Sequence, residues 1–290
     1  MKPRRSVLYM PGANTRAMEK ARGLDCDSII FDLEDAVAPD AKPQARENVA
    51  RALESGGYGY RELLVRANGL DTPWGKEDVA RVAGLPAVHG LLFPKIESAQ
   101  QVDEIVALMA QHGGGSKALW VMIETPRGVA TLASFAGHEQ IETLVLGTSD
   151  LVKELRALHT PERRNIDYAL QHCLLIARML GKDILDGVHL DFRNEASFEL
   201  ACRGGRSMGF DGKTLIHPSQ IATANEVFGF SEEAIEHAES VLAVWQSALD
   251  DGRGVAVLDG QLIENLHAAE AERVVAFARA ISQRQDQIGS

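Results

Sequence analysis

The amino-acid sequence predicts an α/β chain folded as a (β/α)8 TIM barrel, with a helical arm added at its C-terminal end. Three observations carry this reading. Eight short apolar runs alternate with helical patterns within about 220 residues, as a closed parallel barrel requires. No Gly-rich G-x-G-x-x-G turn follows the first run, which counts against an open doubly wound sheet. After His217 the alternation stops and a long amphipathic pattern begins.

In order, the strands read RSVLYM (5–10), SIIFDLE (28–34), ELLVRAN (62–68) and GLLFPKI (90–96). They continue with ALWVMIE (118–124), TLVLGTSD (143–150), DILDGVHLD (183–191) and DGKTLIH (211–217). Helices are expected between them, among them 43–55, 98–113 and 165–181. The second of these has Ser98 as its N-cap and a stripe of Val102, Ile105, Val106 and Met109 at helical spacing. A long helix is expected from Ser231 to Leu249, then the arm DDGRGVAVLDGQLIENLH, then a final helix. The arm is too apolar for a disordered tail and reads as a lid that docks on something. The division is residues 1–229 for the barrel and 230–290 for the extension, packing on the barrel and on a neighbouring subunit.

Bulk properties narrow the function. With 290 residues, 45% of them hydrophobic, the chain has material for one large core or two ordinary ones. A net charge of −11 argues against a nucleic-acid-binding surface, which needs a basic field. No run approaches the ~20 apolar residues of a membrane span, and the basic N-terminus lacks the apolar core of a signal peptide. Cys26, Cys173 and Cys202 are odd in number and far apart, so they read as buried free thiols in a reducing, cytoplasmic compartment.

In such a barrel the active site lies at the C-terminal ends of the strands. Those ends carry Asp32, Glu34 and Asp35; Arg66 and Asn68; Lys95 and Glu97; Glu124; Ser149 and Asp150; His189 and Asp191; and His217. Each alone has a structural explanation, such as a helix start or a loop ion pair. Together, acids from strands two, five and six around one mouth are costly without a cation. Oxygen ligands without clustered cysteines favour Mg²⁺ or Mn²⁺ over zinc, and Glu124 and Asp150 suit the ligand role. The Arg66 guanidinium can bind a carboxylate or carbonyl oxygen in a fork and hold developing negative charge. Metal plus arginine fits enolate chemistry on an oxo-acid. On the residues alone, aldol cleavage, Claisen-type cleavage and phosphoenolpyruvate chemistry all stay open.

The motifs RRSVLYMPGANTRAMEKA, IIFDLEDAVAPDAK, VRANGLDTPWG, LFPKIES, MIETPRGV, LGTSDL and GFDGKTLIHPSQ closely resemble the citrate lyase beta-subunit family, within the HpcH/HpaI aldolase superfamily. The resemblance runs from about Arg5 to the final helix. It implies a (β/α)8 barrel assembled as a trimer or hexamer, and 3-hydroxy-acyl thioester substrates: malyl-, methylmalyl- or citramalyl-CoA, or a citryl thioester on an acyl carrier protein. It implies metal ligation by Glu124 and Asp150, substrate binding by Arg66, and acyl-CoA contacts at Tyr9 and Lys20. Asn14 stands where many relatives carry Arg. Ile216, His217 and Pro218 match a further ligand-contact segment. Glu34 and Asp35 would then hold metal-bound water, with Asp32 facing a structural partner.

One departure bears on the reaction. Many lyases of the family carry G-x-M-I-D in the arm, and its Asp reaches into a neighbouring subunit as acid or base. Here the arm reads DGQLIENLH, with Glu264 at that place, closest to the subgroup that includes malyl-CoA thioesterases. The expected activity is Mg²⁺-dependent carbon–carbon cleavage of a 3-hydroxy-acyl-CoA. Hydrolysis of the same thioester, or a citrate lyase beta role, stands as the alternative.

Overall fold

The computed structural model describes residues 2–288. Eight parallel strands close into a barrel in sequence order: β1 (Ser6–Pro11), β2 (Ser28–Asp32), β3 (Glu62–Arg66), β4 (Gly90–Phe93), β5 (Ala118–Ile123), β6 (Ile141–Leu146), β7 (Asp183–Asp186) and β8 (Gly212–Leu215). β8 pairs back with β1, so no edge is left open. The helices are α1 (Thr15–Ala21), α2 (Lys42–Ser55), α3 (Gly75–Val82), α4 (Ala99–Gln111), α5 (Pro126–Thr131), α6 (Thr148–Glu154), α7 (Asp167–Met179), α8 (Glu195–Met208) and α9 (Ile221–Val227). The expected barrel is therefore the fold.

The helices begin and end where local chemistry dictates. Ser98 caps α4 by accepting the Gln101 amide, and Val102, Ile105 and Met109 bury the expected stripe. α8 stops at Gly209, whose φ of +109° suits glycine alone.

Several strands stop short of their expected ends. β3 ends at Arg66 because the Asn68 amide turns away to donate to Asp78 Oδ2 at 3.0 Å. β6 ends at Leu146 because α6 begins at Thr148. Asp32 and Arg66 thus end β2 and β3, and most of the other polar residues that close the apolar runs lie in the loops above the barrel, which is the active-site face.

Inside the barrel, alternate residues of the strands form their own packed core: Val7, Ile30, Leu64, Leu92, Trp120, Met122, Val145 and Leu185. The other strand faces pack outward in the larger core with the helices. At the bottom of the barrel, Arg4 donates to Glu62 at 2.8 and 2.9 Å, pairs with Glu142 and Asp183, and lies over the Trp120 ring. All three cysteines are free and buried, as expected.

A separate compact unit begins at Gly229. It contains α10 (Glu232–Asp250), a two-stranded hairpin of β9 (Ala256–Leu258) and β10 (Gln261–Ile263), and α11 (Asn265–Ile288). The hairpin turns at Asp259 and Gly260, both with positive φ, as a tight Asp-Gly turn demands. Ala256 and Ile263 enter a small core with Ala238, Val241, Val274 and Val275. No helix of the described residues is long and apolar enough to cross a membrane.

Candidate active site

Strand periodicity builds the site. Val7, Ile30, Leu64, Met122 and Val145 point into the barrel, so residues two places further along point the same way. Those residues are Tyr9, Asp32, Arg66, Glu124 and Gly147. Register sets Pro11, Asp32 and Arg66 in one row across β1, β2 and β3. The loops bring Asp35, Ser149, Asp150 and Ile216 to the same mouth, and together these residues line a cavity of about 350 Å³. A larger cavity, about 640 Å³, opens beside it, bordered by Glu34, Lys76, Lys95 and Leu108.

Arg66 is buried among three carboxylates. Its Nε and Nη2 donate to the two oxygens of Asp32 at 2.7 and 2.6 Å. Its Nη1 pairs with Glu34 at 2.9 Å and Asp35 at 3.4 Å. The guanidinium lies 4.7 Å from the centre of the Tyr9 ring. The fork expected to receive a ligand therefore faces Asp32, and Nη1 is the nitrogen turned toward the acidic loop.

Glu124 is 2% exposed. Its Oε1 accepts the Lys95 amide at 2.9 Å, and Lys95 holds a left-handed backbone, φ +51°, to aim that N–H. Burial pushes the Glu124 carboxyl up to about 7, with Glu34 and Asp150 adding to it and Arg66 opposing. Burial likewise pushes Glu34 up to about 7, opposed by Arg66 and helped by Asp35 and Asp32. For the Lys95 ammonium, partial burial is outweighed by Glu124, Asp150, Glu34 and Asp35, which hold it above the ordinary lysine range.

Burial is the largest cause of both carboxyl shifts and neighbouring carboxylates add to it, so a bound cation would favour the charged forms. Glu124 and Asp150 line one cavity and offer oxygen ligands suited to Mg²⁺, which takes one or two carboxylates and leaves places for water and substrate. Gly147 leaves room for the Glu124 carboxylate: a Cβ there would meet Glu124 Oε2 at 2.4 Å. Among the described residues no group of three or more His, Cys, Asp or Glu side chains forms a cage.

The remaining expected residues divide. Asn14 caps α1, accepting the Ala17 amide at 3.0 Å, and Lys20 is exposed in its last turn. Ile216 lines the cavity. His217 caps the turn that begins at Pro218 and stacks on Phe192, with ring centres 4.6 Å apart. Glu264 is exposed after β10, and its amide donates to His267 Nδ1 at 3.0 Å. Asn68, Glu97 and His189 serve local structure through Asp78, Thr125 and Ser197. Sequence reasoning passed over Met122, Leu146, Val188 and Leu190, the apolar lining of the cavity. Only Met122, two places before Glu124, had a periodic signal.

The model of the HpcH/HpaI aldolase/citrate lyase family matches residues 5–218. The chain belongs to the HpcH/HpaI aldolase/citrate lyase family. Within it, the chain is 46% identical over 280 residues to a (3S)-malyl-CoA thioesterase of Cereibacter sphaeroides, covering 97% of this chain and 96% of the relative. It is 30% identical to the mitochondrial citramalyl-CoA lyase of Homo sapiens, over 97% of this chain and 87% of that one. A crystal structure of the CitE protein of Mycobacterium tuberculosis with magnesium, acetoacetate and coenzyme A superimposes with a TM-score of 0.75. It is 27% identical and covers 94% of this chain and 97% of that one. Like these members of the HpcH/HpaI aldolase/citrate lyase family, the chain is an enzyme.

Proposed function

We propose that the chain acts on the CoA thioester of a 3-hydroxy dicarboxylic acid of the malyl-CoA type, and that it hydrolyses the thioester. The observation that carries this reading is the 46% identity to a (3S)-malyl-CoA thioesterase, spread over 97% of the chain. The site is consistent with it. Glu124 and Asp150 would hold Mg²⁺, which supplies a Lewis acid at the 2-hydroxy-acid end of the substrate. Arg66 Nη1 faces the same cavity and would hold negative charge developing on a substrate oxygen. Glu34, with its carboxyl pushed up to about 7, is poised to take a proton near neutral pH. Tyr9 and Ile216, neighbours at the ends of the paired strands β1 and β8, would contact the acyl-CoA, and Lys20 and the turn at His217 and Pro218 would extend that contact.

In hydrolysis, a base takes a proton from water, the oxygen attacks the thioester carbonyl, and the C–S bond breaks to give malate and CoA. The second reading uses the same residues for carbon–carbon cleavage. There the base takes the hydroxyl proton, the bond between the hydroxyl-bearing carbon and its neighbour breaks, and an acid protonates the acyl-CoA enolate. Glyoxylate and acetyl-CoA result. The 30% identity to a citramalyl-CoA lyase favours it. In either reading we assign proton transfer at the thioester side to Glu264, delivered by the arm of a neighbouring subunit in a trimer or hexamer.

The test is incubation of the pure protein with malyl-CoA and Mg²⁺, followed by chromatography. Malate plus CoA is the expected result. Glyoxylate plus acetyl-CoA would replace hydrolysis by cleavage. Unchanged malyl-CoA, with the fold intact, would reject both, and a parallel incubation with a citryl thioester on a carrier protein would then identify a carrier-dependent subunit.

A further inference from the structure

We infer that Asp32 is the positioning residue for Arg66, taking its Nε–Nη2 edge and turning Nη1 toward the acidic loop. Asp32 is 1% exposed. Its Oδ1 accepts Arg66 Nε at 2.7 Å and the Glu34 amide at 2.9 Å. Its Oδ2 accepts Arg66 Nη2 at 2.6 Å and the Ala36 amide at 3.1 Å. Each oxygen thus has two donors, and the carboxylate has no capacity left for a ligand or a proton in transit. The two parallel bonds fix the plane of the guanidinium, and the Tyr9 ring supports its face at 4.7 Å. Nη1 remains, directed to Glu34 at 2.9 Å, Asp35 at 3.4 Å and the Met122 sulfur at 3.7 Å.

Two consequences follow. The arginine meets its substrate from the side away from Asp32, through Nη1 and the second N–H of Nη2, so the Nε–Nη2 fork is not what receives it. And Asp32 ties the acidic loop and the guanidinium together, because the amides it holds belong to the loop carrying Glu34 and Asp35. A shift of about 1 Å in a group that must face developing charge costs on the order of 100-fold in rate.

The kinetic part of the test rests on the malyl-CoA reading above, and the structural part does not. Asp32→Asn keeps the shape but sets an amide N–H against a guanidinium N–H. It is expected to lower kcat about 30- to 100-fold with less than about 3-fold change in KM. In the Arg66→Lys background the same substitution should lower kcat less than about 3-fold further, since its effect runs through Arg66. A multiplicative loss in the double variant would overturn the proposal, because it would mean an independent role. Asp32→Glu keeps the charge and covers the case in which the Asn variant does not fold; wild-type kcat in Asp32→Glu would also overturn it. A crystal structure of either variant decides the geometry whatever the reaction is. Displacement of the guanidinium from the Tyr9 ring is expected, and a guanidinium still in place would sink the proposal. If wild type leaves malyl-CoA untouched, the functional reading fails, and the crystal structure still judges Asp32.

Discussion

At the scale of single residues, the site is governed by which charges are compensated. Arg66 has three carboxylates; Glu124 has an amide and distant help. The raised Glu124 carboxyl has a sign that can be worked out. Its folded value of about 7 lies above its ordinary 4.5, so between these the folded, metal-free protein binds a proton that the unfolded chain does not. Stability is therefore fully present below about pH 4.5 and declines as pH rises toward 7. Glu124→Gln copies the protonated form. Without metal it should match wild type at low pH and exceed it by on the order of 3 kcal/mol at about pH 8, measured by urea unfolding. Mg²⁺ should close that gap by stabilising wild type alone. An equal difference at both pH values would show that Glu124 is not the titrating group. Arg66 gives the second residue-scale prediction. A lysine ammonium cannot serve both Asp32 oxygens and also occupy the Nη1 position. Arg66→Lys should lower kcat about 100-fold or more while CoA affinity by calorimetry changes little. Equal turnover would reduce Arg66 to a point charge.

At the scale of elements, the acidic loop after β2 is held by a residue from α2. Lys42 Nζ donates to the carbonyls of Leu33 and Glu34 at 2.9 and 2.8 Å and lies over the Trp74 ring, 5.1 Å from its centre. Asn68 Nδ2 shares the Leu33 carbonyl at 2.9 Å. Lys42→Met keeps an unbranched stem and removes the ammonium, leaving the Glu34 carbonyl with the Val37 amide alone and the nearby carboxylates less compensated. A loss of about 1–3 kcal/mol is expected in urea unfolding, together with a fall in kcat, and Lys42→Arg should recover part of both. Unchanged stability in Lys42→Met would mean that water replaces the ammonium without cost. This lysine also shows where sequence reading stops. The strands were legible because each is a short apolar run, and the site acids because they follow those runs at a spacing of two. Lys42 reads as a helix surface charge, since only the fold brings α2 over the loop. The Asp32–Arg66 fork needs the β2–β3 register, which no local spacing encodes. The left-handed Lys95 backbone likewise has no signal, because it is imposed by the loop rather than preferred by the residue.

At the scale of the whole molecule, the arm raises the remaining question. Its hairpin has two faces. Ala256 and Ile263 enter the small core with α10 and α11. The cross-strand pair Val257 and Leu262 faces outward at 65% and 54% exposure, followed by Leu266 at 64%. A continuous apolar face beside an exposed carboxylate, Glu264, is costly in water and marks a docking surface. A neighbouring copy of the chain would meet both needs: it would cover the hairpin and receive the carboxylate at its barrel mouth. The active site would then be composite, with the barrel from one subunit and the arm from another. Glu264→Ala and Arg66→Ala should each inactivate the enzyme while the fold persists. Mixed under conditions of proven subunit exchange, they should regain activity, since some mouths then receive an intact arm beside an intact barrel. In a trimer with random exchange at equal amounts, roughly a quarter of the mouths pair the two intact parts, so about a quarter of wild-type activity is the expected recovery. Replacing Val257 and Leu262 with Ser in an otherwise intact chain should weaken assembly and lower activity together. No recovery despite exchange, or full activity in a monomer, would place Glu264 outside the reaction and return the arm to a purely structural role.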